Sequence, residues 1–186
     1  MSDLLLQPDH AREPLQDAWS DEHNPVGLDG IEFIEYATSR PQALGHVLEM
    51  MGFRPVARHR SREVTLYRQG GLNLVVNAHP VDGEHTAADA RPALAAIALR
   101  VRDARAAYRH VLDRGAWEVP THPEAMELNI PAIHGVGGSR IYFVDRWREF
   151  SIYDVDFIPI PSVDPQPPAV AGIHFFGIVQ YIGLGR

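Results

Sequence analysis

Cysteine is absent from this 186-residue chain. Neither a disulfide framework nor a thiolate nucleophile or metal ligand is therefore available, and a reducing compartment fits. No run of Lys or Arg could track a phosphate backbone. The 24 acidic residues outnumber the 17 basic ones, giving a formal charge of −7, which argues against nucleic acid as a partner. No stretch approaches the ~20 apolar residues of a membrane span, and the N-terminus lacks the basic and continuous apolar regions of a signal peptide. The expectation is a soluble cytoplasmic protein with no membrane partner. What is present, 45% hydrophobic and 22% charged residues, is enough to build a core.

Along the chain, residues 1–25 mix Asp, Glu, Pro, Gln and Ala without a sustained period and read as a mobile extension. A strand, IEFIEYA (Ile31 to Ala37), opens the first module. Leu44, Val47, Leu48 and Met51 then recur at i, i+3, i+4 and i+7, with Pro41 at the first turn and Gly52 as the stop, predicting a helix. The runs FRPVARHR, EVTLYRQ and LNLVVNA read as three strands, the last two joined by a hairpin at Gly70-Gly71. After a polar connector the same plan repeats. ALAAIALRV (Ala93 to Val101) is a strand, and DARAAYRHVLDRG is a helix with Asp103 as N-cap and Gly115 as stop. WEVP, MELNI and RIYFVDR complete the second module as strands. SIYDVDF (Ser151 to Phe157) alternates apolar and acidic residues and is predicted as a half-buried strand with Asp154 and Asp156 on its solvent side. The loop GVGGSR reads as a tight turn, because Arg140 and a following strand depart from a dinucleotide fingerprint.

The glycines that stop the two helices, Gly52 and Gly115, lie 63 positions apart, nearly the spacing of the strands that precede them. The chain is thus an internal duplication, with modules at about 26–78 and 93–157 inside a domain at 26–158. One βαβββ unit leaves a whole face of a curved sheet bare, and pairing two buries it. Leu44, Leu48, Leu74, Ile97, Leu99 and Phe143 are expected to form one curved core. Residues 159–170, with five prolines, predict an extended linker. Residues 171–186 read as the first strand of a further domain, an apolar edge expected to fold back on its own domain or to be covered by another copy, making a homo-oligomer.

The strings MELNIPAI, GVGGSRIYFVDR, SIYDVDF and VARHRSREVTLYRQGGLNLVVNAHP resemble the amino-terminal half of bacterial 4-hydroxyphenylpyruvate dioxygenase, from about Asn24 to Phe157. That family belongs to the vicinal oxygen chelate superfamily, whose α+β fold pairs βαβββ modules in a half-open barrel. The resemblance implies an Fe(II) enzyme converting a small 2-oxo acid, 4-hydroxyphenylpyruvate, to homogentisate in tyrosine catabolism. In such enzymes the iron is held by the carboxy-terminal domain through two His and one carboxylate. At the corresponding positions this chain has Phe33, Ala96 and Gly177, none of which donates a lone pair from its side chain. No catalytic, cofactor-binding or metal residue is therefore assigned, and no iron is expected on this chain. His174 falls on the wrong strand face for a ligand.

Among other candidates, His59 sits between arginines and reads as a solvated strand end, and His134 could cap the Gly loop. Glu32 and Glu35 lie three apart on one strand, which places them on opposite faces. Two other functions stay open beside the structural-domain reading. One is a metal-free small-molecule binder of the same superfamily. The other is a dioxygenase-like appendage of another catabolic enzyme such as a dehydroshikimate dehydratase.

Overall fold

The computed structural model describes residues 23–79, 91–120, 128–148, 150–170 and 172–179. Its elements in chain order are β1 (Leu28–Ala37), α1 (Pro41–Met50), β2 (Arg54–His59), β3 (Val64–Gln69), β4 (Leu72–Asn77), β5 (Ala93–Val101), α2 (Ala104–Leu112), β6 (Ala132–His134), β7 (Arg140–Val144), α3 (Ile152–Asp156) and β8 (Phe157–Pro159). The helix signals act as their chemistry requires. Pro41 starts α1, the Asp103 carboxylate accepts the Ala106 N–H at 2.8 Å to cap α2, and Gly52 and Gly115 leave the helices at φ +94° and +90°, backbone that favours glycine.

The eight strands among the described residues form one mixed sheet in the order β6-β7-β5-β1-β4-β3-β2-β8. Its centre is the antiparallel pair β1 and β5, in which Ile34 faces Ile97, Phe33 faces Ala98 and Glu35 faces Ala96. Ile34 and Ile97 are also 63 positions apart, so the duplication read from the helix stops is the pseudo-two-fold relation of the sheet. β1 runs parallel to β4, and β5 runs parallel to β7. Short β8 crosses back to pair with β2 of the first module.

Burial divides into three clusters rather than the one core anticipated. Leu48, Leu74 and Ile34 gather under α1 with Leu44 against them. Phe143, Val101 and Ala107 gather under α2 with Leu99 against them. The shared interior is a third cluster built on Phe33, Val64, Leu66, Val75, Ala98, Ile152 and Phe157. Strand alternation explains the difference: odd and even residues of the same strand serve opposite faces, and the expected set belongs mainly to the helix-covered side. Gly45 in α1 shows how tight that side is. A Cβ there would lie 2.2 Å from the Tyr67 hydroxyl.

Several strand expectations are corrected. WEVP contributes a single bridge, Glu118 to Ile133. Of MELNI, residues 126 and 127 lie outside the described residues and 128–130 are irregular. The larger change is in SIYDVDF, which is α3 followed by β8 and not a strand. Ser151 donates to the Asp154 carboxylate from both its N–H and its hydroxyl, each at 2.8 Å, closing the helix start. Ile152, Tyr153 and Asp156 are buried, the i, i+1, i+4 pattern of a short helix, and Phe157 is buried at the start of β8.

The chain after β8 is packed on the first module. Arg68 Nη1 donates to the Pro165 carbonyl at 2.8 Å, and the Gly70 N–H donates to the Pro167 carbonyl at 2.8 Å. Fully buried Gln69 holds both sides of this junction, donating to the Met51 carbonyl at 3.0 Å and accepting the Val170 N–H at 2.8 Å. Phe175 and Ile178 rest on the cluster under α1, while residues 173–179 carry no regular structure. Residues 1–22 and 180–186, parts of the extension and of the terminal strand read from sequence, lie outside the described residues.

Candidate functional site

The concave side of the half-barrel encloses a cavity of about 220 Å³ between the two modules. β1 contributes Phe33 and Glu35, β4 contributes Val75 and Asn77, β7 contributes Arg140 and Tyr142, and α3 with β8 contributes Ile152, Tyr153, Asp156 and Phe157. Leu128 and Ile130 cover one side, and His59 and Arg62 stand on another. Aromatic rings meet one another along these mixed walls. The Phe33 and Tyr142 rings are 6.1 Å apart, Tyr153 and Phe157 meet edge to face at 5.7 Å, and His59 meets Phe157 at 5.2 Å.

The polar groups come from irregularities that the sequence pattern does not announce. A register shift between Ile31 and Phe33 interrupts strict alternation, so Glu32 and Glu35 do not take opposite faces. Both reach side chains of β4 four positions apart, hence on one face. Asn73 donates to Glu32 Oε1 at 3.2 Å, and Asn77 donates to Glu35 Oε1 at 2.8 Å. Burial raises the Glu35 carboxyl above its ordinary pKa, while the Asn77 hydrogen bond and the nearby Arg140 and Arg62 charges pull it partly back. Burial likewise raises Tyr142, reinforced by the Glu35 charge.

Behind the cavity runs a second polar string. Glu32 is ion-paired with Arg100, whose guanidinium lies 5.3 Å from the Trp147 ring centre. Asn73, bonded to Glu32, accepts from Arg68 Nε at 2.7 Å, and Arg68 covers the Tyr153 ring at 5.1 Å. This string ties β5, β1, β4 and β3 together, which spans both modules. Tyr153 stands within it, its buried hydroxyl turned toward the Glu32 carboxylate but outside hydrogen-bond geometry. Burial first and the Glu32 charge second push that phenol well above its ordinary pKa.

Asp156 also differs from expectation. It is buried on the cavity wall, where its carboxylate accepts the Leu128 N–H at 3.0 Å, because the helix turns it inward. His59 is half-buried and lines the cavity. His134 is exposed, and the Gly loop is closed by Ser139, whose hydroxyl donates to the Val136 carbonyl at 2.8 Å.

Phe33 and Ala96 lie on the paired central strands and are buried, and Gly177 is exposed on the segment beyond β8. A phenyl ring, a methyl group and a hydrogen offer no donor, so the residues at these positions do not fit an iron centre. Among the described residues no group of three His, Asp or Glu is arranged to hold a metal ion. Nor is any described helix long and apolar enough to cross a membrane.

Relatives agree with this architecture. Over 146 residues the chain is 45% identical to 4-hydroxyphenylpyruvate dioxygenase of Pseudomonas sp. (strain P.J. 874), covering 77% of this chain and 41% of that protein. It is 49% identical over 138 residues to hemolysin VllY of Vibrio vulnificus, covering 72% and 39%. A 3-dehydroshikimate dehydratase of Pseudomonas aeruginosa is 41% identical over 139 residues, covering 72% and 22%. Among solved structures, a xylose isomerase-like TIM barrel/4-hydroxyphenylpyruvate dioxygenase fusion protein superposes with a TM-score of 0.60 at 35% identity, covering 73% of this chain and 22% of that one. The chain thus spans about two fifths or less of these relatives. With residues 22–158 matching the family described as hydroxyphenylpyruvate dioxygenase, HPPD, N-terminal, the chain belongs to that family.

Proposed function

We propose that this chain acts as the amino-terminal, metal-free domain of a cytoplasmic protein resembling 4-hydroxyphenylpyruvate dioxygenase. The reaction, Fe(II)-dependent conversion of a small 2-oxo acid to homogentisate, is carried by ligands outside residues 22–158. The observation that carries this reading is the pairing of an intact two-module barrel with Phe33 and Ala96 at the ligand positions of its central strands. Carbon at those positions leaves no metal donor there, so the domain's part is to support a partner domain through its shape. Residues 159–170 serve as the connector, held against β3 by Arg68, Gln69 and Gly70.

A second reading is an appendage of another catabolic enzyme. The match to a dehydratase in which this domain is only 22% of the length favours it. A domain exchange separates the two. Residues 22–158 would replace the matching part of the Pseudomonas sp. dioxygenase, and oxygen uptake with 4-hydroxyphenylpyruvate and Fe(II) would be recorded. Turnover is expected from the chimera and none from the present chain, for which anaerobic calorimetry should detect no one-to-one Fe(II) site. A folded but inactive chimera, or a micromolar iron site on this chain alone, would overturn the proposal.

A further inference from the structure

We infer that the buried ion pair between Glu32 and Arg100 chooses how the modules combine: β1 of a first module pairs with β5 of a second module and is disfavoured from pairing with β1 of another copy. This holds whichever enzyme the domain serves, because it concerns how the two halves find each other.

The central strands are duplicated down to their irregularities. Ile34 and Ile97 face each other on the pseudo-two-fold axis, and the pair Phe33 with Ala98 is the mate of the pair Ala96 with Glu35. On β1, Ile31 faces Leu99 and Phe33 faces Ala98, which leaves Glu32 as the extra residue of a bulge. On β5, Ala96 faces Glu35 and Leu94 faces Tyr36, which leaves Ala95. Glu32 and Ala95 are 63 positions apart, as are Ala37 and Arg100. Glu32, Ala95 and Ala37 are all buried. The backbone is thus repeated and the charge is not. Glu32 meets Arg100 on one side of the axis, and two methyl groups hold the equivalent positions on the other.

Repetition of this kind invites mispairing. Before the modules join, β1 and β5 are the open edges of their own sheets, and an open edge accepts any strand of matching shape. Between two first modules, each Glu32 would be set beside Ala37 of the other copy. Asn73 of its own module would still donate to the carboxylate at 3.2 Å, with Arg68 one side chain further away on Asn73. The direct countercharge would be gone, at a side chain only 1% exposed. Leaving one member of a buried pair uncompensated is strongly destabilising, whereas replacing both by apolar residues of similar size is often neutral. Between two second modules, Arg100 would lie against Ala95. Its side chain is 26% exposed and can turn to water, so the discrimination comes chiefly from Glu32.

The lack of cysteine makes the pairing readable in the full chain. Ile34→Cys places one thiol on the axis, buried in the native pairing, and two first modules joined to each other would bring two such thiols face to face. Directly opposed antiparallel residues lie about 4.5–5.5 Å apart at Cα, within the reach of a disulfide. Copies that associate through their outer surfaces cannot join there. The Ile34→Cys chain, with and without Glu32→Met and Arg100→Met, is refolded from urea in a glutathione redox buffer, and linked dimer is measured by non-reducing electrophoresis. Dimer is expected to be rare with the ion pair present and about tenfold or more commoner without it, in a variant that still folds by circular dichroism. Val76→Cys, buried on β4 away from the axis, reports linkage through unfolded chains and should show no such rise. An unchanged dimer fraction, or an equal rise for Val76→Cys, would overturn the inference. So would a double variant that fails to fold, since the pair would then be a requirement of stability and not of choice.

Discussion

Glu35 accepts a 2.8 Å hydrogen bond from Asn77 on the wall of the interior cavity, which tethers the carboxyl in a site that otherwise desolvates it. Because burial raises the folded-state pKa above 4.5, the folded protein holds this proton more tightly than the unfolded chain does. The stabilisation is fully present below the unfolded value and is lost as pH rises through the raised folded value. Glu35→Gln keeps the acceptor for Asn77 and cannot ionise. Urea denaturation from acid to neutral pH should show the variant matching the parent at low pH and exceeding it increasingly toward neutrality. A stability difference independent of pH would mean that Glu35 does not titrate in this environment.

Tyr153 offers a change of opposite sign to the usual core truncation. Its hydroxyl is buried facing the Glu32 carboxylate but outside hydrogen-bond geometry, with Arg68 and Arg100 nearby. An unsatisfied buried hydroxyl costs roughly 1–3 kcal/mol of desolvation. Tyr153→Phe removes that cost and keeps the ring that Arg68 covers and Phe157 meets. We expect a gain of about 1 kcal/mol in unfolding free energy, measured by denaturant titration. A loss would show that the phenol oxygen makes a bond in solution.

Asp154 tells helix from strand by experiment. In a strand its exposed carboxylate would be a solvated side chain whose removal changes stability by a few tenths of a kcal/mol. As the acceptor of the Ser151 N–H and hydroxyl it closes α3, and Asp154→Ala should cost about 1 kcal/mol. The helical spacing of α1 and α2, their glycine stops and the duplicated plan were legible because each is a local pattern many residues long. SIYDVDF was not. Five helical residues are too few to separate a period of 2 from one of 3.6, and the deciding signal, Ser151 followed three residues later by Asp154, is an acidic variant of the capping box. The site was hidden for a related reason. The bulge that turns Glu32 toward Asn73, and the return of β8 to β2, are long-range pairings that leave no trace in local periodicity.

The apolar tail supplies the last prediction. Phe175 and Ile178 rest on the cluster under α1, but Phe176 and Val179 on the same segment are almost wholly exposed. Near them in the chain, Val170 and Ile173 are exposed too. Covering one large apolar side chain is worth roughly 1.5–3 kcal/mol, so a second copy has a strong incentive to pair here. Removing everything beyond β8 would confuse the test, since the bonds from Arg68, Gln69 and Gly70 hold residues 165–170 against β3 and the Leu72 and Leu74 cluster would lose Phe175 and Ile178. The double substitution Phe176→Ser with Val179→Ser leaves those bonds and the two inward side chains in place. Light scattering across a dilution series should then show the parent self-associating and the variant shifted toward monomer by about tenfold or more in dissociation constant, equivalent to about 1.4 kcal/mol. Identical behaviour of the two proteins would mean that this exposed pair is not what joins one copy to another.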